Sequence, residues 1–92
     1  MITNVEGYLM DDTPEVVHGA YDLNLVVGNK YRVSYGVHQG IYEYVGKVSD
    51  KDENHIHSQG SHFFRSCATG KISFGYFGYT SPYEFATIVR PL

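Results

Sequence analysis

Cysteine is almost absent from this chain: Cys67 stands alone, so no intramolecular disulfide can staple the fold. A reducing compartment is the simpler reading of such sparse cysteine usage. No apolar run approaches the roughly 20 residues that a membrane-spanning helix needs. The opening MITNVEGYLMDD has neither the basic nor the apolar region of a signal peptide. Together these absences lead to the expectation of a soluble, cytoplasmic protein. Tryptophan is missing, and signals for helices are poor throughout. Positive charge is scarce as well, with 7 Lys and Arg against 10 Asp and Glu. The scarcity is uneven. Residues 1–22 carry Glu6, Asp11, Asp12, Glu15 and Asp22 with no Lys or Arg, whereas Lys30, Arg32 and Lys47 outnumber Glu43 in 23–48. An acidic leader, 1–22, therefore precedes a mildly basic body, 23–92, and such a leader is simply solvated, contacts a basic partner or folds back on the body.

What the chain has in quantity is aromatic residues and glycine: 9 Tyr, 5 Phe and 10 Gly in 92 residues. A chain this short buries only about 60–65% of its unfolded surface. Each aromatic ring buries on the order of 150–250 Å², so a small core built on rings is expected. Glycine between stretches rich in β-branched and aromatic residues points to short strands joined by tight turns.

The clearest pattern runs from Asp22 to Val48. Leu23, Leu25 and Val27 alternate with Asp22, Asn24 and Val26, the period of a half-buried strand. Gly28-Asn29 tolerates a reversal, after which Tyr31, Val33 and Tyr35 line one face of a second strand. Gly36 and Gly40 bracket a further turn over Val37-His38-Gln39. Ile41 to Val48 is then apolar on both faces, through Tyr42, Tyr44 and Val48 on one side and Ile41 and Val45 on the other.

Before this stretch, Ile2 to Met10 is a candidate first strand weakened by Gly7, and Thr13-Pro14-Glu15 suits either an extended break or the cap of a helical turn over Glu15–His18. After it, Ser49 to Ser61 is polar and charged, the longest loop expected. His62 to Cys67 reads as a strand with one of Phe63 and Phe64 turned inward. Thr69-Gly70 turns the chain, and Ile72, Phe74 and Tyr76 share a face opposite Phe77 and Tyr79. Ser81-Pro82-Tyr83-Glu84-Phe85 suits a short helical connector before a last strand over Ala86–Arg90. The expected core is Tyr31, Val33, Ile72, Phe74 and one of Phe63 and Phe64.

Two segments resemble the small SH3-like barrels. Leu23-x-Leu25-x-x-Gly28-Asn29-x-Tyr31-x-Val33 is similar to their opening strand and turn, and Gly40 with Gly46-Lys47-Val48 to their second hairpin. The Gly-rich strand and the Pro82-Tyr83 connector resemble their closing segment, although Pro82 and Tyr83 are adjacent here and the acidic, Trp-containing middle of the peptide-binding members is missing. The resemblance implies an all-β fold: one small barrel or sandwich of five to seven short antiparallel strands, with at most one helical turn.

Four kinds of chemistry can be weighed. His55, His57 and His62, with Cys67, are residue types that bind zinc, and positions 55 and 57 would share a strand face; no paired cysteine motif supports them. Cys67 with His62 would make a nucleophile and base, but the phenylalanines beside Cys67 suggest a buried, inert thiol. Gly75-x-x-Gly78 lacks the Lys-Ser/Thr element of a phosphate loop. Nucleic-acid binding depends on neutralising phosphates, which an acidic chain does poorly.

The fourth is protein recognition. Fourteen rings (9 Tyr and 5 Phe) exceed what one small barrel holds, so surface aromatics are expected to anchor a partner. The candidates are Tyr42, Tyr44, Phe77, Tyr79 and Tyr83, with Arg65 and Lys71 at the rim. The expectation is thus a non-catalytic interaction module without cofactors. It would bind a protein or its own copies, as small accessory or inhibitory proteins of the phage-encoded kind do. A nucleic-acid-binding barrel is the alternative, and a metal-binding protein or small enzyme the second alternative.

Overall fold

Alternating stretches become short strands in the computed structural model, which describes residues 1–18, 21–36, 38–49, 62–74 and 88–92. Nine strands occur among these residues: β1 (Ile2–Val5), β2 (Tyr8–Asp11), β3 (Glu15–Val17), β4 (Leu23–Leu25), β5 (Lys30–Tyr35), β6 (His38–Val48), β7 (His62–Ser66), β8 (Ile72–Phe74) and β9 (Val89–Pro91). All their pairings are antiparallel. The all-β class expected from the sequence is therefore the class observed. The strands exceed the expected five to seven because residues 1–18 supply three of them. No helix among the described residues is long and apolar enough to cross a membrane.

β6, the longest strand at 11 residues, organises the main sheet. Along one edge it pairs with β7, and β7 with β8. Along the other edge its first half pairs with β5, from Tyr35↔His38 to Lys30↔Glu43, and its end pairs with β2 through Met10↔Val48 and Asp11↔Lys47. β1 extends β2 and β9 extends β5, giving a seven-stranded sheet that does not close into a barrel among the described residues. β3 and β4 form a separate two-stranded ribbon.

The ribbon packs on the sheet as a second layer. Leu23 and Leu25 are fully buried with Tyr31, Val33, Tyr42, Tyr44, Phe64 and Val89, and Val17, Tyr21 and Ile88 pack against that cluster. The Tyr31 hydroxyl binds the layers as well, accepting from the Val26 N–H at 2.9 Å and donating to the Asn24 carbonyl at 2.7 Å. A second, smaller core of Met10, Val48 and Phe63 lies near the end of β6, with Val5, Tyr8, Val45 and Ile72 around it.

One irregularity lets a single strand serve both cores. Pairing between β6 and β7 shifts between Tyr44 and Gly46, so Tyr44 lies opposite Phe64 and Gly46 opposite Phe63. A β-bulge of this kind reverses the strand's alternation. Tyr42 and Tyr44 therefore enter the first core, and Val48 the second. This corrects the expectation of one inward and one outward phenylalanine: Phe63 and Phe64 are both buried, because each face of β7 meets its own core.

Three other expectations change. Glu15–Val17 is a strand, not a helical turn, because Val17 and Glu15 pair with Leu23 and Leu25 of β4. Gly40 lies inside β6 opposite Val33, so the β5–β6 connection is tighter than a turn bracketed by two glycines. Gly7 ends a tight reversal between β1 and β2, dividing the candidate first strand in two. Of the expected core, Tyr31 and Val33 are buried and Ile72 is half-buried. The Phe74 side chain, the 50–61 part of the polar loop and the 81–85 connector lie outside the described residues.

Gly46 and Gly40 make a matched pair for testing the bulge. Both have positive φ, 133° and 126°. A Cβ at Gly46 would sit 3.0 Å from the Asp11 carbonyl oxygen and 3.2 Å from Met10 Cβ, whereas one at Gly40 would meet nothing within 4 Å. Backbone strain is then common to both alanine variants, on the order of 1–3 kcal/mol, and only Gly46→Ala also pushes β2 away. Gly46→Ala should lower the stability measured by urea unfolding clearly more than Gly40→Ala; equal losses would show that the approach of β2 is not constraining.

Candidate functional site

The β1–β2 hairpin meets the β7–β8 hairpin through Tyr8 on Phe63 and Glu6 on Arg65, and a cleft of about 330 Å³ remains between them. Glu6, Tyr8, Phe63, Lys71 and Ile72 line it. Its apolar floor is set by alternation: Tyr8 and Phe63 meet edge to face at 4.8 Å between ring centroids, and Ile72 pairs opposite Arg65 on the neighbouring strand. Phe63 is fully buried, while Tyr8 and Ile72 are half-buried and present the remaining apolar surface.

The rim is charged. The Arg65 guanidinium donates to Glu6 Oε2 and to the Gly70 carbonyl, each at 3.0 Å. Lys71 is exposed and forms no ion pair among the described residues. Glu6 itself is unusual. It has a positive φ, 51°, the one non-glycine residue to do so among the described residues, in the two-residue turn Glu6-Gly7, a position that favours Asn or Asp over Glu.

A second hollow, of about 540 Å³, lies beside the β4–β5 turn and is lined by Asp22, Asn24, Lys30, Tyr31 and their neighbours. Its Tyr31 hydroxyl is already engaged with Asn24 and Val26. Val26, Pro91 and Leu92 complete its wall beside the turn at Gly28 and Asn29, and Tyr31, the aromatic residue that lines it, is buried.

Of the residues singled out for chemistry, His62 and Cys67 are described, and they are not gathered into one place. His62 is half-buried at the start of β7, with Nδ1 3.3 Å from the Tyr44 hydroxyl. Burial holds the imidazole down to about 4, with Glu15 opposing and Lys47 adding to that effect. Burial, reinforced by the nearby Glu15, pushes the Tyr44 phenol above its ordinary value. The pair is a neutral, mutually satisfied contact, and a phenol made less acidic is a poor nucleophile. Beside it, Lys47 and Glu15 form an ion pair at 3.5 Å that ties β6 to the ribbon.

Cys67 is exposed in the turn after β7, which corrects the reading of a buried thiol: Phe63 and Phe64 precede it, but the chain leaves the core at Ser66. His62 and Cys67 lie at opposite ends of β7, roughly 16 Å apart at 3.3 Å per residue, so they make no nucleophile–base pair. No group of three or more His, Cys, Asp and Glu able to hold a metal occurs among the described residues. His55 and His57 lie outside those residues.

Among the expected partner-binding residues, Arg65 and Lys71 do flank one cleft. Tyr42 and Tyr44 do not reach the surface: they are 6% and 0% exposed, because the ribbon covers their face of β6. Phe77, Tyr79 and Tyr83 lie outside the described residues. Of the seven rings whose side chains are described, Tyr31, Tyr42, Tyr44, Phe63 and Phe64 are buried, and Tyr8 and Tyr21 half-buried. The second core takes up rings that a one-core reading leaves on the surface. Glu6, Tyr8 and Ile72 were not singled out as a site from sequence, since Glu6 and Arg65 meet across 59 residues. The local signal was the Glu-Gly turn between Val5 and Tyr8. Compared with known proteins, the chain matches no family model, no curated protein and no solved structure.

The His62 environment yields a pH dependence. An unfolded chain takes up a proton on His62 below about 6.5, which the folded protein accepts only near 4. Stability from this group is therefore complete above about 6.5 and is lost as pH falls toward 4, by on the order of 2–3 kcal/mol. His62→Gln should flatten the stability profile between pH 6.5 and 5, where ordinary carboxylates scarcely titrate. An unchanged slope in chemical denaturation would refute the assignment.

Proposed function

We propose that the protein acts by binding another protein, without catalysis, and that the cleft between the β1–β2 and β7–β8 hairpins is its docking site. The observation that carries this reading is an apolar floor of Tyr8, Phe63 and Ile72 beside Arg65, Glu6 and Lys71. Aromatic anchors ringed by polar residues are the usual anatomy of an interface centre. The floor belongs to a packed core, so it is preorganised, and little ordering cost opposes binding. The separation of His62 from Cys67, at the two ends of β7, favours binding over a reaction.

This reading separates contributions. Ile72→Ala, with folding verified by its melting curve, should weaken partner association at least about 30-fold, as loss of a central anchor does. Lys71→Ala should act less, mainly on the association rate, and less again in high salt. Affinity capture with wild type and the two variants in parallel measures this. Retention of the same proteins at the same salt by all three would count against the cleft. Dominance of Lys71→Ala, with steep salt-dependent binding to single-stranded nucleic acid, would favour the nucleic-acid reading.

A further inference from the structure

We infer that Glu6 is an internal occupant of a carboxylate-binding site, and that the partner supplies an acidic, apolar segment whose carboxylate displaces it from Arg65. The inference rests on the docking reading above and names the chemistry of the partner.

Three observations converge. Arg65 Nη1, the nitrogen that meets Glu6, also donates to the Gly70 carbonyl at 3.0 Å, a backbone contact that does not depend on Glu6 and stays when Glu6 leaves. Its other 3.0 Å contact, to Glu6 Oε2, is with a side chain 59% exposed. A half-exposed ion pair is weak and exchangeable. Lys71 adds a second cation on the cleft wall, with no carboxylate against it among the described residues. With Glu6 bound the rim carries one unmatched positive charge, and with Glu6 displaced it presents two cations to an incoming chain.

The third observation concerns the turn. Glu6 and Gly7 both have positive φ, 51° and 92°, in a two-residue hairpin connection. Asn is the residue such a turn favours at its first position, and a side chain like Glu is disfavoured there. Glu is the longer side chain, and its carboxylate reaches Arg65. A residue unfavourable for its own turn but suited to the neighbouring cation is consistent with a contact selected for the rim. Beside the displaced Glu6, the half-buried surfaces of Tyr8 and Ile72 would receive an apolar side chain adjacent to the partner's carboxylate.

Glu6→Asn tests this cleanly, because Asn suits the turn and the variant is expected to fold at least as well as wild type. The probe is an acetylated, amidated hexapeptide of alternating Glu and Leu, compared with its Gln–Leu counterpart by NMR titration or calorimetry. Glu6→Asn should bind the Glu–Leu peptide about three- to fivefold more tightly than wild type, the gain matching loss of one half-exposed ion pair. The Gln–Leu peptide should gain nothing, and Lys71→Glu should cancel the preference for Glu–Leu. An equal gain for both peptides, or none for Glu–Leu, overturns the inference. If both peptides bind wild type equally and both are lost in Ile72→Ala, the cleft still docks apolar segments and only acid recognition fails. If neither peptide binds wild type or Glu6→Asn, both readings fall. Tighter binding of single-stranded nucleic acid than of either peptide would assign the cations to phosphate and also overturn the proposal.

Discussion

The close approach of β2 to Gly46 is the constraint on which the rest depends. A side chain at residue 46 would crowd the Asp11 carbonyl oxygen at 3.0 Å and Met10 Cβ at 3.2 Å, so β2 would have to give way. With no Cβ there, β6 accommodates a bulge that changes which face its later residues present. Without that change Val48 would point with Tyr44 into the first core, leaving Phe63 without a lid and the β1–β2 hairpin without a base. Two cores in so short a chain follow from one unbranched backbone position. Among the described residues they also account for the burial of adjacent rings: each face of β7 has a core in which to bury one.

What could be read from the sequence was what local alternation determines. Leu23, Leu25, Tyr31 and Val33 fall on the expected inward face, and Gly28-Asn29 turns the chain, because strand period and turn chemistry act over a few residues. What escaped depended on partners far along the chain. Tyr42 and Tyr44 look like surface candidates until the ribbon of β3 and β4 is placed over them. Phe63-Phe64 looks one-sided until a second core exists to receive Phe63. Cys67 was judged by the residues before it, although the turn after it sets its exposure.

The candidate site was partly legible for the same reason. Arg65 and Lys71 were placed at the rim of an aromatic patch; in the structure Lys71 lines the cleft and Arg65 meets it through Glu6. Glu6 was counted only as part of an acidic leader. The possibility that this leader folds back on the basic body finds a local counterpart in the Glu6–Arg65 contact. Its hairpin is part of the sheet, so the leader's charge is partly spent inside the fold.

The way that hairpin is attached has a dynamic consequence. β1 and β2 join the remaining sheet through Met10↔Val48 and Asp11↔Lys47, supplemented by the Ser49 N–H donating to the Leu9 carbonyl at 2.8 Å. β5 and β6, by contrast, share a continuous six-pair ladder. Opening of the hairpin should therefore cost less free energy than global unfolding, forming a separate cooperative unit in amide hydrogen exchange. The same hairpin supplies one wall of the cleft. The width of the cleft is then set by a sub-global equilibrium, and a ligand that bridges both walls would draw that equilibrium closed and slow exchange in β1 and β2.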